Sequence, residues 1–307
     1  MMEIGIIGLG KMGFNLALNA VSRGHRVVGY NRSLEKVKKA AEKGIEGAYT
    51  VQELVEKLSP PRTVWLMIPA GPPVDRSINE LLVLLDKEDI IIDGGNSKYT
   101  DTLRRAKRIK QEGLHFVDVG TSGGTEGARY GICAMIGAEE ETFRVLENFF
   151  KDISVEKGYL HTGRPGSGHF VKMVHNGVEY GMLQAMGEGF EIMEASEFDL
   201  NLKEVSRVWN HGSVIRGWLM ELMQSAFNKD VKLANIKGVV HSSGEGLWTA
   251  QTALDLGVPA VIITNSVFIR YRSEQEDTFA GKVVAALRNE FGGHEVEFLK
   301  EVGLDAD

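Results

Sequence analysis

The sequence contains very little cysteine: Cys133 is the single one in 307 residues. One thiol excludes a disulfide within the chain, and without Cys pairs or closely spaced histidines we expect no bound metal. Such a thiol-poor chain is typical of a reducing compartment, so we predict a cytoplasmic protein. Cys133 itself stands among apolar residues, and we expect a small buried side chain there.

Long hydrophobic runs are also missing. No apolar stretch approaches the roughly 20 residues that span a bilayer, and the start, Met-Met-Glu-Ile-Gly, lacks the basic region of a secretion signal. The content of 43% hydrophobic and 25% charged residues is that of a soluble globular protein. The net charge of −7 argues against a nucleic-acid partner. It leaves an anionic small-molecule substrate open, because a few basic side chains can converge locally.

Short apolar runs alternate with amphipathic segments up to about residue 160. Continuous apolar runs are typical of strands whose two faces are both covered by helices. We therefore predict an α/β fold, with a Rossmann-like N-terminal domain built on a mostly parallel sheet. The predicted strands cover residues 4–7, 27–30, 64–68, 90–92 and 116–119, with 132–136 as a further candidate followed by a helix over 139–151.

The strand signals stop after the Gly- and Pro-rich segment 163–168, and a long helical pattern runs from Phe170 to about Glu197. Shorter helical patterns follow, and we interpret the run from Val258 as a helix beginning at Pro259. We predict two domains, a dinucleotide-binding domain over residues 1–165 and an all-α substrate and dimerisation domain over 166–307.

A glycine-rich motif follows the first predicted strand and opens a helix. It reads Gly8-Leu9-Gly10-Lys11-Met12-Gly13 and fits the G-x-G-x-x-G pattern of dinucleotide sites. The first glycine allows the tight turn, the second lets a pyrophosphate approach the backbone, and the third lets helix and strand pack closely. A strand precedes the motif and another follows the helix, as in a dinucleotide-binding βαβ unit. We therefore predict that the protein binds a nicotinamide cofactor.

The end of the second strand bears on the choice of cofactor. NAD enzymes usually carry an acidic residue there, about 20 residues after the glycines, to bind the ribose 2′-hydroxyl. This chain has Asn31-Arg32-Ser33 instead. No carboxylate would repel a 2′-phosphate, and Arg32 can pair with one. We predict NADP, with NAD as the alternative if Arg32 only faces solvent.

A polar stripe runs along the long helix after residue 168. Its members are spaced at i, i+3, i+4, i+7 and i+8, so they share one face of a helix that is otherwise apolar. A buried polar face is costly without partners, so it either lines a cleft or forms an internal network. We predict a site made of Lys172, His175, Asn176, Glu179 and Tyr180.

Two Gly-rich segments follow predicted strands of the first domain. They are Asp93-Gly94-Gly95-Asn96-Ser97 and the segment 121–127, which contains Ser122, Gly123 and Gly124. Both should lie at the carboxyl edge of the sheet, where open α/β folds bind ligands. Each alone is compatible with an ordinary turn; together they favour a binding site.

These motifs resemble those of the decarboxylating 6-phosphogluconate dehydrogenases, in the short form that lacks the second half of the helical domain. The resemblance covers essentially the whole chain, and the motifs occur in family order. The matching stretches are residues 8–13, 31–33, 93–97, 120–131 and 168–181. The implied reaction is oxidative decarboxylation of 6-phosphogluconate to ribulose 5-phosphate and CO₂ in the pentose phosphate pathway.

The resemblance also implies roles for individual residues. Lys172 matches the general base that takes the proton of the C3 hydroxyl, which requires that its pKa be lowered from about 10.4. Glu179 matches the general acid that protonates the enediol left by CO₂. The implied binding residues for substrate and nicotinamide are Asn96, Ser122, Gly123, Gly124, His175 and Asn176, with Tyr180 and Arg270 for phosphate and Arg288 and His294 from a partner subunit.

The resemblance therefore implies at least a homodimer. One position departs from the family pattern: the long form places a phosphate-binding lysine where this chain has Ser243, before Trp248-Thr249. At that position a serine hydroxyl can still donate a hydrogen bond to phosphate, but it brings no positive charge.

Two other functions compete with this interpretation. A 3-hydroxyisobutyrate-like dehydrogenase would share the dinucleotide motif, the Ser-Gly-Gly segment and the lysine, but simple oxidation needs no acid such as Glu179. A catalytically silent NADP-binding sensor would need neither the lysine nor the glutamate. Both side chains are present, which favours the decarboxylating enzyme.

Overall fold

The structure is a computed structural model that describes residues 1–297, with only the backbone described at Phe291. One eight-stranded sheet organises the N-terminal part, in the order β3-β2-β1-β4-β5-β6-β7-β8. The strands are β1 (Glu3–Ile7), β2 (Arg26–Tyr30), β3 (Glu46–Ala48), β4 (Thr63–Leu66), β5 (Ile90–Asp93), β6 (His115–Ser122), β7 (Ile132–Gly137) and β8 (Ser154–Gly163). All neighbours are parallel except β6 and β7.

Thirteen helices are present in the described part of the chain. Those that alternate with strands are α1 (Lys11–Ser22), α2 (Leu34–Ala41), α3 (Val51–Glu56), α4 (Pro72–Leu81), α5 (Tyr99–Gln111), α6 (Gly124–Tyr130) and α7 (Glu140–Ile153). After the last strand come α8 (Ser167–Glu194), α9 (Leu202–Asn210), α10 (Trp218–Lys229), α11 (Glu245–Asp255), α12 (Val261–Ser273) and α13 (Phe279–Gly292).

The continuous apolar runs form the middle of the sheet, as predicted. Two apolar clusters cover its two faces. One contains Ile6, Trp65 and Phe150, and the other contains Leu66 and Ile91. All five side chains are fully buried. The predicted α/β class, with a Rossmann-like first part and helices after it, is confirmed.

Two strands were not predicted. β3 is only three residues long, and β8 at the sheet edge is polar and has one buried residue, so neither carries an apolar run. The candidate strand at 132–136 is confirmed as β7. The helix expected from Pro259 begins two residues later, as α12.

The fold divides into two compact units, and the division falls inside α8. The first unit holds residues 1–182 and 244–263; the second holds residues 183–243 and the described residues from 264 onward. The second unit has its own small core of Phe190, Leu202, Met220 and Phe227. None of the described helices is both long and apolar enough to cross a membrane.

Candidate active site

The turn between β1 and α1 has the geometry of a pyrophosphate cradle. Gly8 has φ +105°, and a Cβ there would lie 2.3 Å from the carbonyl oxygen of Met67. A Cβ at Gly13 would lie 1.9 Å from the carbonyl oxygen of Gly8. At Gly10, in contrast, a Cβ would meet nothing within 4 Å. The first and third glycines are thus required for packing, while the second borders open space beside the first turn of α1, where a phosphate can approach N–H groups.

Asn31 connects this turn to the end of β2. The Leu9 backbone N–H donates to Asn31 Oδ1 at 3.0 Å. The Leu9 side chain is buried, so Leu9 can offer a ligand only its backbone. Lys11 and Arg32 are exposed, whereas Met12 and Ser33 are half-buried. The residues present therefore fit a dinucleotide, and Arg32 is free to reach a 2′-phosphate.

A buried network holds the segment after β5. Ser97 Oγ donates to Asp93 Oδ2 at 2.7 Å, and the Gly95 N–H donates to Asp93 Oδ1 at 3.2 Å. Arg105, 2% exposed, donates to Ser97 Oγ at 3.2 Å and to the Gly71 carbonyl at 3.0 Å. The network fixes the loop that presents Asn96, whose side chain is exposed.

The third element is the end of β6, where Gly123 takes φ +105° before α6 begins at Gly124. Ser122 Oγ lies 3.3 Å from His175 Nε2 on α8. The structure thus brings together one predicted residue of the Ser-Gly-Gly segment and one of the polar stripe. On β7, Cys133 pairs directly with Ser122.

Cys133 was expected to be buried, and that expectation is wrong. The side chain is exposed. Side chains alternate along a strand, and the neighbours Ile132 and Ala134 take the buried face.

Lys172 is the first residue of the polar stripe and is buried. The residue is 8% exposed, and its Nζ lies 3.5 Å from His175 Nδ1. A Cβ at Gly120 would lie 2.2 Å from Lys172 Cβ, so the lysine stem rests directly on the β6 backbone. Burial lowers the pKa of Lys172, although the carboxylates of Glu179 and Glu245 act in the opposite direction. A lysine in this environment is suited to act as a base.

The remaining residues of the stripe extend along α8. Asn176 Oδ1 lies 3.1 Å from His175 Nδ1. Glu179 is half-buried and Tyr180 is 4% exposed. α11 packs beside them: Thr249 Oγ1 donates to the Met173 carbonyl at 2.8 Å.

A buried carboxylate that sequence reasoning did not single out anchors the start of α8. Asp118 on β6 accepts hydrogen bonds from the backbone N–H groups of Gly166 (2.5 Å) and His169 (2.7 Å). Negative charge at a helix N-terminus is favourable. A Cβ at Gly168 would lie 2.6 Å from the Asp118 carbonyl oxygen, so helix and strand touch. Asp118 and Gly120 are two residues apart on one strand face, and together they fix where α8 carries Lys172.

The three remaining predicted residues belong to the second unit. Arg270 lies on α12, Arg288 on α13 and His294 just beyond α13. Asn289 Nδ2 donates to the His294 carbonyl at 2.8 Å. Among the described residues, no group of three or more His, Cys, Asp or Glu side chains is placed to hold a metal ion.

The glycine cradle, the parallel sheet and the buried lysine define a nicotinamide-dependent dehydrogenase. Two family models match the chain. The NAD-binding domain of 6-phosphogluconate dehydrogenase matches residues 3–163, and the 6-phosphogluconate dehydrogenase C-terminal domain matches residues 168–303. The chain belongs to the 6-phosphogluconate dehydrogenase family. The predicted family and the predicted nicotinamide cofactor are confirmed.

Individual relatives agree with the family models. The Bacillus subtilis protein YqeC is 53% identical over 296 residues, which cover 96% of this chain and 99% of YqeC. The NAD(+)-dependent, decarboxylating 6-phosphogluconate dehydrogenase of Haloferax volcanii is 40% identical, over 96% of this chain and 98% of its own. The structure of Plasmodium falciparum 6-phosphogluconate dehydrogenase superposes with a TM-score of 0.83 at 32% identity, over 98% of this chain and 67% of its own.

Proposed function

We propose that the chain catalyses oxidative decarboxylation of 6-phosphogluconate to ribulose 5-phosphate and CO₂. The observation that carries the proposal is Lys172: a buried lysine with a lowered pKa, set on the carboxyl edge of the sheet beside Ser122 and His175. Family membership supplies the substrate class.

We further propose domains over residues 1–165 and 166–307, a division supported by the end of β8 at Gly163 and the start of α8 at Ser167.

Lys172 in its neutral form takes the proton of the substrate C3 hydroxyl. A dinucleotide held by the turn between β1 and α1 would supply the acceptor for the hydride that C3 gives up. The resulting Lys172 ammonium then donates to the new C3 carbonyl oxygen and draws electrons towards it. This polarisation lets the C1 carboxylate leave as CO₂, and the bonding electrons form an enediol.

Glu179 is placed to complete the reaction by giving a proton to the enediol carbon that carried the carboxylate. It lies seven residues after Lys172, which is about 10 Å along the helix axis at 1.5 Å per residue. Both side chains leave the same helix face, so they can address neighbouring carbons of one substrate. The residues proposed to bind substrate come from both units. They are Asn96, Ser122, Gly123, Gly124, His175, Asn176, Tyr180, Arg270, Arg288 and His294.

The deciding experiment compares two substrates with the purified protein. NADPH absorbance should rise with 6-phosphogluconate and remain flat with 3-hydroxyisobutyrate, and CO₂ should appear in step with NADPH. Turnover of 3-hydroxyisobutyrate alone would refute the proposal. Failure to turn over either substrate, with NADP still bound, would favour the silent sensor.

We also propose NADP as the preferred cofactor, with Arg32 as the residue that selects it. Arg32→Ala should lower the ratio of kcat/KM for NADP over NAD by roughly 10- to 100-fold, because a charge-assisted hydrogen bond contributes about 1.5–3 kcal/mol. Arg23→Ala, which removes another exposed arginine of the same unit, should leave the ratio unchanged. A wild-type preference for NAD would contradict the assignment.

We propose that the protein is a homo-oligomer in the cytoplasm. The support is an apolar stripe on α13, where Phe279 is 81%, Val283 40% and Leu287 56% exposed. Such a stripe is costly to leave in water. Light scattering should give at least twice the chain mass. Leu287→Asp should lower that mass, whereas Val145→Asp, at an exposed position of α7, should not. A monomeric wild type would contradict the proposal.

A further inference from the structure

The first residue of α11, Glu245, is a buried acid. It is 5% exposed, and its Oε2 atom is buried without a hydrogen-bond partner. Among the described residues it is the only acidic side chain with such an atom. Buried polar atoms are nearly always satisfied, because leaving one unpaired costs about 1–3 kcal/mol or more for a charged group. The partner of this carboxylate oxygen therefore has to come from outside the described protein atoms.

The position of Glu245 is fixed by contacts between α11 and α8. A Cβ at Gly246 would lie 2.4 Å from the ring of Tyr180, so the α11 backbone rests on that ring. A Cβ at Gly177 would lie 2.7 Å from Thr249, one turn further along. The start of α11 is thus pressed against the part of α8 that carries the polar stripe.

Glu245 is near enough to Lys172 for its charge to act on the ammonium, but the two do not form an ion pair. Burial is the largest influence on the Lys172 pKa and lowers it; Glu179 and then Glu245 act in the opposite direction. Within the described chain, no carboxylate oxygen lies within 4.0 Å of Lys172 Nζ. Lys172 therefore does not supply the missing partner of Glu245 Oε2.

The chemistry of a carboxylate restricts which group that is. An ionised carboxylate only accepts hydrogen bonds, so it repels phosphate and carboxylate groups and requires a donor. Of the groups on a phosphorylated sugar acid, only the hydroxyls are donors. We propose that Glu245 is a substrate-binding residue whose carboxylate accepts a hydrogen bond from a hydroxyl other than the one oxidised. The proposal rests on the proposed function and deepens it, because it makes the site specific for polyhydroxy acids.

Substrate analogues test this directly. Wild type, Glu245→Ala and Glu245→Gln should be assayed with 6-phosphogluconate and with its 2-, 4- and 5-monodeoxy analogues. With the full substrate, Glu245→Ala should lower kcat/KM by about 10- to 100-fold. With the analogue that lacks the recognised hydroxyl, wild type and Glu245→Ala should give equal kcat/KM. The matched control is Glu140→Ala, the exposed first residue of α7, which should behave as wild type throughout.

The pH dependence of kcat/KM tests the position of Glu245 independently, because a purely structural role of Glu245 would leave that dependence unchanged. The titratable groups facing Lys172 are His175 and Glu179 from α8, Glu245 from α11 and Cys133 from β7. Removing the Glu245 charge takes away an influence that raises the Lys172 pKa, so Glu245→Gln should move the acid limb of kcat/KM to lower pH. Thermal unfolding and NADP affinity establish that the variants are folded.

The outcomes separate this proposal from the function on which it rests. If wild type does not turn over 6-phosphogluconate, both are wrong. A second outcome is that wild type is active while the ratio of kcat/KM between wild type and Glu245→Ala is the same for every deoxy analogue as for the full substrate. In that case Glu245 binds no substrate hydroxyl, and only this proposal is wrong. An unmoved acid limb in Glu245→Gln would likewise count against a place beside Lys172.

Discussion

Lys172→Met should abolish measurable turnover of 6-phosphogluconate in a protein that stays folded. Methionine keeps an unbranched stem that can pack on Gly120, but it has no nitrogen to take a proton or to polarise the C3 carbonyl. General acid–base catalysis contributes roughly 10²- to 10⁴-fold, and two steps depend on this one amine. We therefore expect kcat to fall by about 10⁴-fold, measured by NADPH absorbance at saturating substrate.

The control for this variant is an exposed lysine of the same unit. Lys107→Met on α5 should retain the kcat and KM of wild type. Both variants should bind NADP with wild-type affinity, because neither residue lies in the glycine cradle. A kcat within tenfold of wild type in Lys172→Met would exclude Lys172 as the base.

Glu179→Gln should separate oxidation from product formation. Glutamine has the shape of glutamate but cannot give a proton to the enediol, so steady-state kcat should fall by about 10²- to 10⁴-fold. Oxidation precedes that proton transfer. Rapid mixing should therefore still show a burst of NADPH equal to one per active site, followed by slow turnover.

The burst also distinguishes the two catalytic variants, since Lys172→Met should show none. Glu188→Gln, an exposed position later on the same helix, should have wild-type kinetics. A normal steady-state rate in Glu179→Gln would remove Glu179 as the acid. Loss of the burst together with loss of turnover would place Glu179 in the oxidation step instead.

The parts of the fold that could be predicted are those whose signal is local. The central strands are buried on both faces and so carry continuous apolar runs, as Ile90–Asp93 does. The β1–α1 turn was predictable because the spacing of its three glycines is a local pattern, although the contact that requires Gly8 comes from Met67, almost 60 residues later in the chain. β8 was missed because it is a polar edge strand with a single buried residue and so has no such run.

The residues of the candidate site also differ in whether a local sequence pattern reveals them. The polar stripe on α8 could be found because helical spacing alone places its members on one face. Asp118 and Glu245 could not, because their meaning depends on partners that are distant in sequence: Asp118 reaches a helix 48 residues away. Read locally, Asp118 is a polar residue in a strand and Glu245 is an acid at a helix start, and both patterns are common.

The contact between Gly120 and Lys172 has a consequence for redesign of the enzyme. Backbone and lysine stem touch there, so a larger residue at position 120 would move the base itself. Substrate range must therefore evolve elsewhere. The start of α11 offers that freedom, because Glu245 can change its hydrogen-bonding character without altering a backbone contact of α8. Libraries aimed at new hydroxy acids should vary Glu245 and keep the strand beneath the lysine constant.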